Sequence, residues 1–494
     1  MKELNMYIGG KWMTSSSGEQ REIRNPANGE VIALAAEGTI EDAHYAISVA
    51  RQTFDHGQWS SLPYKSRAKY LQKIAELLEE HADEMAMLET GNNGKVLLAA
   101  KTDVNNAIEC FQYYASLLTQ SEGELYNINQ DIKTMVVREP LGVCSLIIPW
   151  NFPLLMASWQ IAPALAAGNT IVIKPSELTP VTLVRLFEII GMAGVPAGVA
   201  NLVLGQGGTV GSAMVASNLV DKIGFIGGTT TGKNIMRLAA DSTKKLSLEL
   251  GGKSPIIVFA DNDLDIAVDN ALFSIFFNSG QVCTAASRLL LEESIHDQFV
   301  EKLVMRARQI VIGPGNQASS EMGPLISEAH LQKVLSYIEI GKQEGAALAI
   351  GGNRVLDQEF ESGYYIEPTI FTNTRPDMRI VQEEIFGPVL VVQKFRDEDE
   401  AIRLANDTVY GLGGAVFCQD IAKAMRVVKQ IRAGITWINC YHVASVQAPW
   451  GGQKQSGIGR GLGIFGLNEF SEVKQINLCY QAQAVGWFSN NLNK

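Results

Sequence analysis

The chain has 494 residues, 46% of them hydrophobic and 19% charged, with a formal net charge of -11. That length exceeds one ordinary core and predicts two or three domains. An acidic total with dispersed basic residues argues against a nucleic-acid or anionic-membrane partner.

No apolar run reaches the ~18 residues of a membrane helix. The opening MKELNMYIGGKW lacks the apolar core of a secretory signal, so a cytoplasmic protein is expected. No repeat of solenoid or propeller period is visible. In residues 66–88 the apolar Tyr70, Leu71, Ile74, Leu77 and Leu78 recur at helical spacing, with Lys and Glu on the other face. This predicts an amphipathic surface helix. Residues 121–139 read as an extended segment without a core of its own.

From residue 140 short apolar runs alternate with helical stretches. Gly142–Ile148 and Thr170–Lys174 read as buried strands, separated by a helix over Leu155–Ala167 that Gly168 and Asn169 close. A second helix follows Pro180. Strand-like NLVL (201–204), KIGFI (222–226) and KLSLEL (245–250) come next, with glycine-rich turns and a helix between them. The alternation predicts a parallel sheet with helices on both faces, which binds ligands beyond the C-terminal ends of its strands. After residue 251 the pattern restarts with PIIVFA, a helix at about 263–279 and GQVCTAASRLLLE, predicting a second α/β domain. Residues 471–494 are again extended. The expected division is 1–120 with 140–251, then 252–470, with 121–139 and 471–494 pairing with each other or with another subunit.

Two glycine-rich stretches each follow a strand and open a helix: Gly205-Gln-Gly207-Gly208-Thr-Val-Gly211 and Gly227-Gly228-Thr-Thr-Thr-Gly232. Bare backbone at a helix N-terminus attracts phosphate, although neither spells GxGxxG and both also read as tight turns. Lys174-Pro-Ser176-Glu177 ends a strand, where a carboxylate can accept from a ribose diol; the alternative, which the sequence by itself favours, is a plain charged surface loop.

The six cysteines, at 110, 144, 283, 418, 440 and 479, show no CxxC or CxxH spacing, so no metal site is expected. Cys283 sits among Gly280, Thr284, Ala285 and Ala286, small neighbours that leave a thiol reachable. A thiolate attacks carbonyls well once its surroundings activate it, whereas an inert buried Cys is the alternative. Glu249, in an apolar strand before two glycines, suits a general base or a buried, cation-paired Glu. Asn151, in IIPWNFPLL, offers an amide to a developing oxyanion, or simply caps a turn.

Taken together these residues resemble the aldehyde dehydrogenase superfamily over nearly the whole chain. The motifs stand in the family's order: PWNFPL (149–154), KPSE (174–177), FIGGTTTG (225–232), LELGGKSP (248–255), GQVCTAASR (280–288), EEIFGPV (383–389) and PWGGQKQSGIGR (449–460). The 34 residues that separate Glu249 from Cys283 are also typical. The resemblance implies a modified Rossmann cofactor domain, an α/β catalytic domain and a small β oligomerisation element, assembled as a homotetramer built from dimers. It implies NAD as cofactor and an aldehyde as the small-molecule substrate.

The family's roles then fall on particular residues. Cys283 is the nucleophile that forms a thiohemiacetal, Asn151 and the Cys283 amide hold the oxyanion, and Glu249 activates water against the thioester. Lys174, Ser176 and Glu177 hold the adenosine ribose, and Glu177 disfavours a 2′-phosphate. Gly207, Gly211 and Gly228 lie along the adenine and pyrophosphate, and Ile148, Pro149 and Trp150 line the cofactor cleft. Glu384 binds the nicotinamide ribose, with Phe386 beside the ring.

The motifs are most similar to the betaine-aldehyde and aminoaldehyde dehydrogenases, in which Phe152, Trp159 and Trp450 line the way to the nucleophile. Aromatic faces attract ammonium groups, which implies oxidation of betaine aldehyde to glycine betaine. The same rings suit a general aliphatic, aromatic or amino-aldehyde dehydrogenase. Two positions depart from those relatives: Gln160 follows Trp159 where Lys is frequent, and Gly461 replaces the Glu of GRE. A CoA-acylating semialdehyde dehydrogenase would lack Glu249. A cysteine hydrolase would need a His base, for which only His442 lies in a motif-rich region. A non-catalytic protein would lose Cys283 or Glu249.

Overall fold

A computed structural model describes residues 2–120, 123–356, 360–483 and 485. Two sheets carry the architecture. The first has eight strands, in the order Gly457–Ile458, Lys245–Glu249, Lys222–Ile226, Val143–Ile147, Thr170–Lys174, Ala200–Leu202, Met6–Ile8 and Lys11–Met13. Its five central strands run parallel and the edges antiparallel. The runs VCSLI, TIVIK and KIGFI are buried at every residue, as a parallel sheet covered on both faces requires. The chain fills one half of this sheet outward from Val143–Ile147 and then the other half. The loops at the C-terminal strand ends therefore diverge around one crevice.

Local signals set the helices. Thr39 and Asp42 form a reciprocal capping box that starts Ile40–Asp55. Helix Pro153–Ala167 begins on a proline and ends at Gly168, whose φ of +99° a side chain would strain. The periodic stretch 66–88 folds as two helices, Tyr64–Glu80 and Ala82–Asn93, broken at His81. The apolar pattern continues across the break, which is why one helix is read from it.

The second sheet has seven strands, in the order Ala347–Ile350, Thr369–Thr372, Val389–Phe395, Arg288–Glu292, Pro255–Val258, Gly413–Phe417 and Ile435–Ile438. All pairs are parallel except the first. Strand Gly457–Ile458 lies within 252–470 in sequence yet pairs with Lys245–Glu249 of the first sheet. Lys2–Leu4, Val31–Ala36 and Gln20–Arg24 form a small separate sheet, and one contiguous hydrophobic core runs from Leu4 to Phe470.

The two extended segments pair with each other. Ser471–Cys479 runs antiparallel along Ile132–Pro140, and Glu124–Asn127 adds a third strand. Residues 121–122, 484 and 486–494 of those segments lie outside the described residues.

Arg288 ties the second sheet to its loops. It is 1% exposed, and its guanidinium donates to the carbonyls of Lys253, Leu404 and Ala405 at 2.9, 2.8 and 2.7 Å. Arg288→Met leaves three buried acceptors unpaired and is expected to cost about 3 kcal/mol, read as a lower urea midpoint. Exposed Arg403→Met is the control, and equal midpoints for the two variants would contradict the assignment.

Candidate active site

The two sheets meet edge to edge through loops. Ile148–Asn151, Lys174–Glu177, Gly227–Gly228 and Leu250–Gly252 leave the C-terminal ends of first-sheet strands. Cys283 and Glu384 lie in segments entering Arg288–Glu292 and Val389–Phe395 of the second sheet. Three glycines allow the approach. An added Cβ at Gly251 would sit 2.1 Å from Glu384 Oε2, at Gly252 2.6 Å from the Cys283 carbonyl, and at Gly280 2.2 Å from the Gly387 carbonyl. Glu384 is fixed there by the Gly252 amide, which donates to Oε1 at 3.0 Å.

Asn151 is buried, and its Nδ2 donates to the Gln281 carbonyl, two residues before Cys283, at 3.0 Å. Asn278, in the left-handed region at φ +50°, donates to both the Asn151 and the Gln281 carbonyls at 3.3 Å. This network docks the asparagine loop onto the cysteine loop. Glu249 ends its strand with Oε2 buried and without a hydrogen-bond partner.

Electrostatics follow from the dry setting. Burial holds the Glu249 carboxyl well above the carboxylate range, opposed by Arg460. Burial also raises Glu384. The Cys283 thiol is pushed up to about 12, first by burial and then by the charges of Glu249 and Glu384; the backbone amides of Thr284 and Cys283 oppose this weakly. The surroundings in the structure thus hold Cys283 as a thiol rather than activating it. The six cysteines are free thiols.

Cys283 lines a cavity of about 1200 Å³ that Phe152, Trp159, Trp450, Phe277 and His442 also line. Trp159 and Trp450 meet edge to face at 5.3 Å, and Trp437 extends the cluster at 6.5 Å from Trp450. Phe152 differs from the tryptophans, because Lys95 Nζ already sits 4.2 Å from its ring centroid. Lys95 is fully buried and pairs with Asp103 at 2.5 Å and Glu89 at 3.6 Å. Sequence reading missed this ion cluster, because three charged residues on separate turns carry no motif. His442, the one His near a motif, packs against Phe273 and Phe277, and burial lowers it to about 4.

On the other side of Val282 a small cavity is lined by Glu384, Phe386 and Gly252. Phe386, at φ +64°, accepts from His330 Nε2 at 2.7 Å, and Trp150 packs edge to face on both rings. The Ile148 amide donates to the Lys174 carbonyl at 3.0 Å, and Pro149 follows, half-buried. Lys174 is buried, donates to the Pro175 and Gly205 carbonyls, and lies 3.6 Å from half-buried Glu177. Ser176 Oγ accepts from the Leu178 amide. Gly207–Gly211 winds as a π-helical turn rather than an open loop, and Gly211 packs on Lys174. A Cβ at Gly207, Gly208 or Gly228 would meet nothing within 4 Å, so bare backbone borders the crevice. Among the described residues no cluster of His, Cys, Asp and Glu has metal-binding geometry, and no helix is long and apolar enough to cross a membrane.

The thiol environment predicts how Cys283 reacts with iodoacetamide in the cofactor-free protein. The rate should rise tenfold per pH unit through neutrality without a plateau. Glu249→Gln removes a charge that raises the thiol, so that variant should react faster at any given alkaline pH. A plateau between pH 7 and 8 in the unmodified protein would contradict the burial argument.

The aldehyde dehydrogenase family model matches residues 12–476. The chain is 52% identical over 486 residues to the betaine aldehyde dehydrogenase of Bacillus subtilis (strain 168), covering 98% of this chain and 99% of that one. It is 43% identical to rat aldehyde dehydrogenase 1A1, covering 96% and 95%. A crystal structure of Staphylococcus aureus betaine aldehyde dehydrogenase in complex with NAD+ superposes with a TM-score of 0.97 at 47% identity, covering 98% of this chain and 97% of that one. With motifs, fold and full-length similarity in agreement, this chain belongs to the aldehyde dehydrogenase family.

Proposed function

We propose that this enzyme oxidises betaine aldehyde to glycine betaine with NAD, using Cys283 as nucleophile, Asn151 as oxyanion donor and Glu249 as general base. The observation that carries the reading is the shared cavity. Cys283, Trp159 and Trp450 line one space, so a small aldehyde with a cationic end could meet the rings and the sulfur in the same cavity. The 52% identity to a betaine aldehyde dehydrogenase supports the same substrate.

The crevice fits the cofactor. Glu177 beside Lys174 suits the adenosine ribose diol, and its charge opposes a 2′-phosphate. Ser176 stands in the same loop. Bare backbone at Gly207 and at Gly228, which caps the helix Thr229–Ala239, suits pyrophosphate, with Gly211 packed beneath. Ile148, Pro149 and Trp150 border the cleft, and Glu384 with Phe386 suits the nicotinamide ribose and ring. When bound, NAD supplies the hydride acceptor and a ring charge that offsets the carboxylates around Cys283.

The Cys283 thiol gives up its proton to water, the sulfur adds to the aldehyde carbon, and the Asn151 amide with the Cys283 N–H would hold the resulting oxyanion. Loss of hydride leaves a thioester on Cys283. Glu249, whose proton affinity burial raises, would take a proton from water; hydroxide adds to the acyl carbon and the C–S bond breaks with its electron pair on the Cys283 sulfur.

The parts 1–120 with 140–251 would then form the cofactor domain and 252–470 the catalytic domain. The three-stranded sheet, with Leu125, Val473, Ile476 and Leu478 exposed, supports assembly as a homotetramer of dimers. A cytoplasmic setting belongs to the same reading and is in keeping with the net charge of -11.

Three outcomes check the proposal. Cys283→Ala should abolish aldehyde oxidation while NAD still binds by calorimetry; residual full activity would remove Cys283 from the mechanism. Betaine aldehyde should outcompete an uncharged aldehyde of similar size by ~1–2 kcal/mol of transition-state binding, and Trp450→Ala should erase that margin. Equal efficiencies for the two aldehydes in the unmodified enzyme would leave a general aldehyde dehydrogenase. Light scattering at micromolar concentration should give the mass of four chains, and a monomer would contradict the assembly.

A further inference from the structure

The adenosine end of the crevice carries a second ion pair, outside the loop of Lys174 and Glu177. Arg21 stands on the strand Gln20–Arg24, opposite Ala35 of Val31–Ala36. Glu37 lies two residues beyond Ala35, and its amide donates to the Glu19 carbonyl at 2.9 Å, which continues the pairing past the strand end. Both side chains therefore leave the same face of this small sheet. Arg21 Nε donates to Glu37 Oε2 at 2.6 Å, with Arg21 30% and Glu37 17% exposed.

The other oxygen of Glu37 reaches the glycine-rich turn. Its Oε1 accepts from the Gln206 amide at 3.1 Å. Gly38 lets the chain come that close, since a Cβ there would sit 2.2 Å from the Leu204 carbonyl. One residue before Gln206, the Gly205 carbonyl accepts from Lys174 Nζ at 3.1 Å. Lys174 in turn lies 3.6 Å from Glu177. The four charged groups share one corner: Glu177, Glu37 and Arg21 all act on Lys174, and Glu177 acts on Arg21.

Both cations of this group are already engaged. Lys174 donates to two carbonyls besides its contact with Glu177. Arg21 is held by Glu37. A ribose diol needs neither cation, because it donates to a carboxylate. A 2′-phosphate brings a charge of roughly −2 and calls for a free guanidinium or ammonium group.

We infer that the Arg21–Glu37 pair is a second determinant of cofactor choice, in which Glu37 masks Arg21 and so denies a 2′-phosphate the cation that would hold it. The role rests on this crevice being the NAD site, and it adds to the repulsion by Glu177. Released from Glu37, Arg21 is a planar donor of the kind that binds phosphate best.

Calorimetric titration with NAD, and with NADP by displacement of NAD, reads this without turnover. Glu37→Gln keeps an oxygen for the Gln206 amide but removes the charge that holds Arg21. It should tighten NADP about tenfold relative to NAD. The double variant Glu37→Gln/Arg21→Met should lose that gain. An unchanged ratio of the two affinities in Glu37→Gln, or an equal change in both, would make Glu37 a support of the turn only and overturn the inference. A gain that survives in the double variant would overturn it too, since lost repulsion would then explain the effect without Arg21. Absence of NAD binding by the unmodified protein is a separate outcome, which would remove the cofactor reading and this inference with it.

Discussion

The site depends on the close approach of two loops that no side chain may separate. Gly251 and Gly252 leave the strand bearing Glu249 and run directly against Glu384 and the Cys283 carbonyl, at distances where any Cβ would collide. Gly280 makes the same allowance against Gly387, in a backbone conformation at φ +71° that favours glycine. These contacts join the C-terminal edge of the first sheet to the N-terminal edge of the second. Glu249 then sits at a strand end, while Cys283 and Glu384 lie in short segments anchored by the strands they enter, which fixes their positions as precise chemistry requires.

That compactness has an electrostatic consequence. Burial raises Glu249, Glu384 and Cys283 together, so the site favours neutral forms until a positive charge enters. A protein that kept a permanent thiolate beside two carboxylates would bear a large desolvation and repulsion cost. The structure instead keeps a resting thiol.

Much of this was legible in the sequence, for physical reasons. Thr170–Lys174 and Lys222–Ile226 fall where their apolar runs predict, because parallel strands buried on both faces read as near-continuous apolar runs, here with a lysine only at one end. The helix end at Gly168 was equally readable from its stop signal. Less legible were features made by tertiary contact. The two-residue strand Gly457–Ile458 has no pattern of its own and exists only because Leu248 and Glu249 pair with it. The break at His81 is invisible to periodicity because apolar spacing continues through it. The Lys95 cation on Phe152 changes one of the three substrate rings, yet 57 residues separate the pair in sequence. The state of Cys283 was not readable from its neighbours, since small residues grant access but say nothing of the carboxylates that folding brings near.

The central claim is that Cys283 carries the acyl group and Glu249 releases it. Intact-mass and peptide mapping of the Glu249→Gln variant after mixing with NAD and betaine aldehyde tests this most directly. The account predicts one acyl adduct per chain, located on Cys283 and persisting after a single equivalent of reduced cofactor has formed. Reduced cofactor accumulating without any adduct, or an adduct on one of the other cysteines, would contradict it.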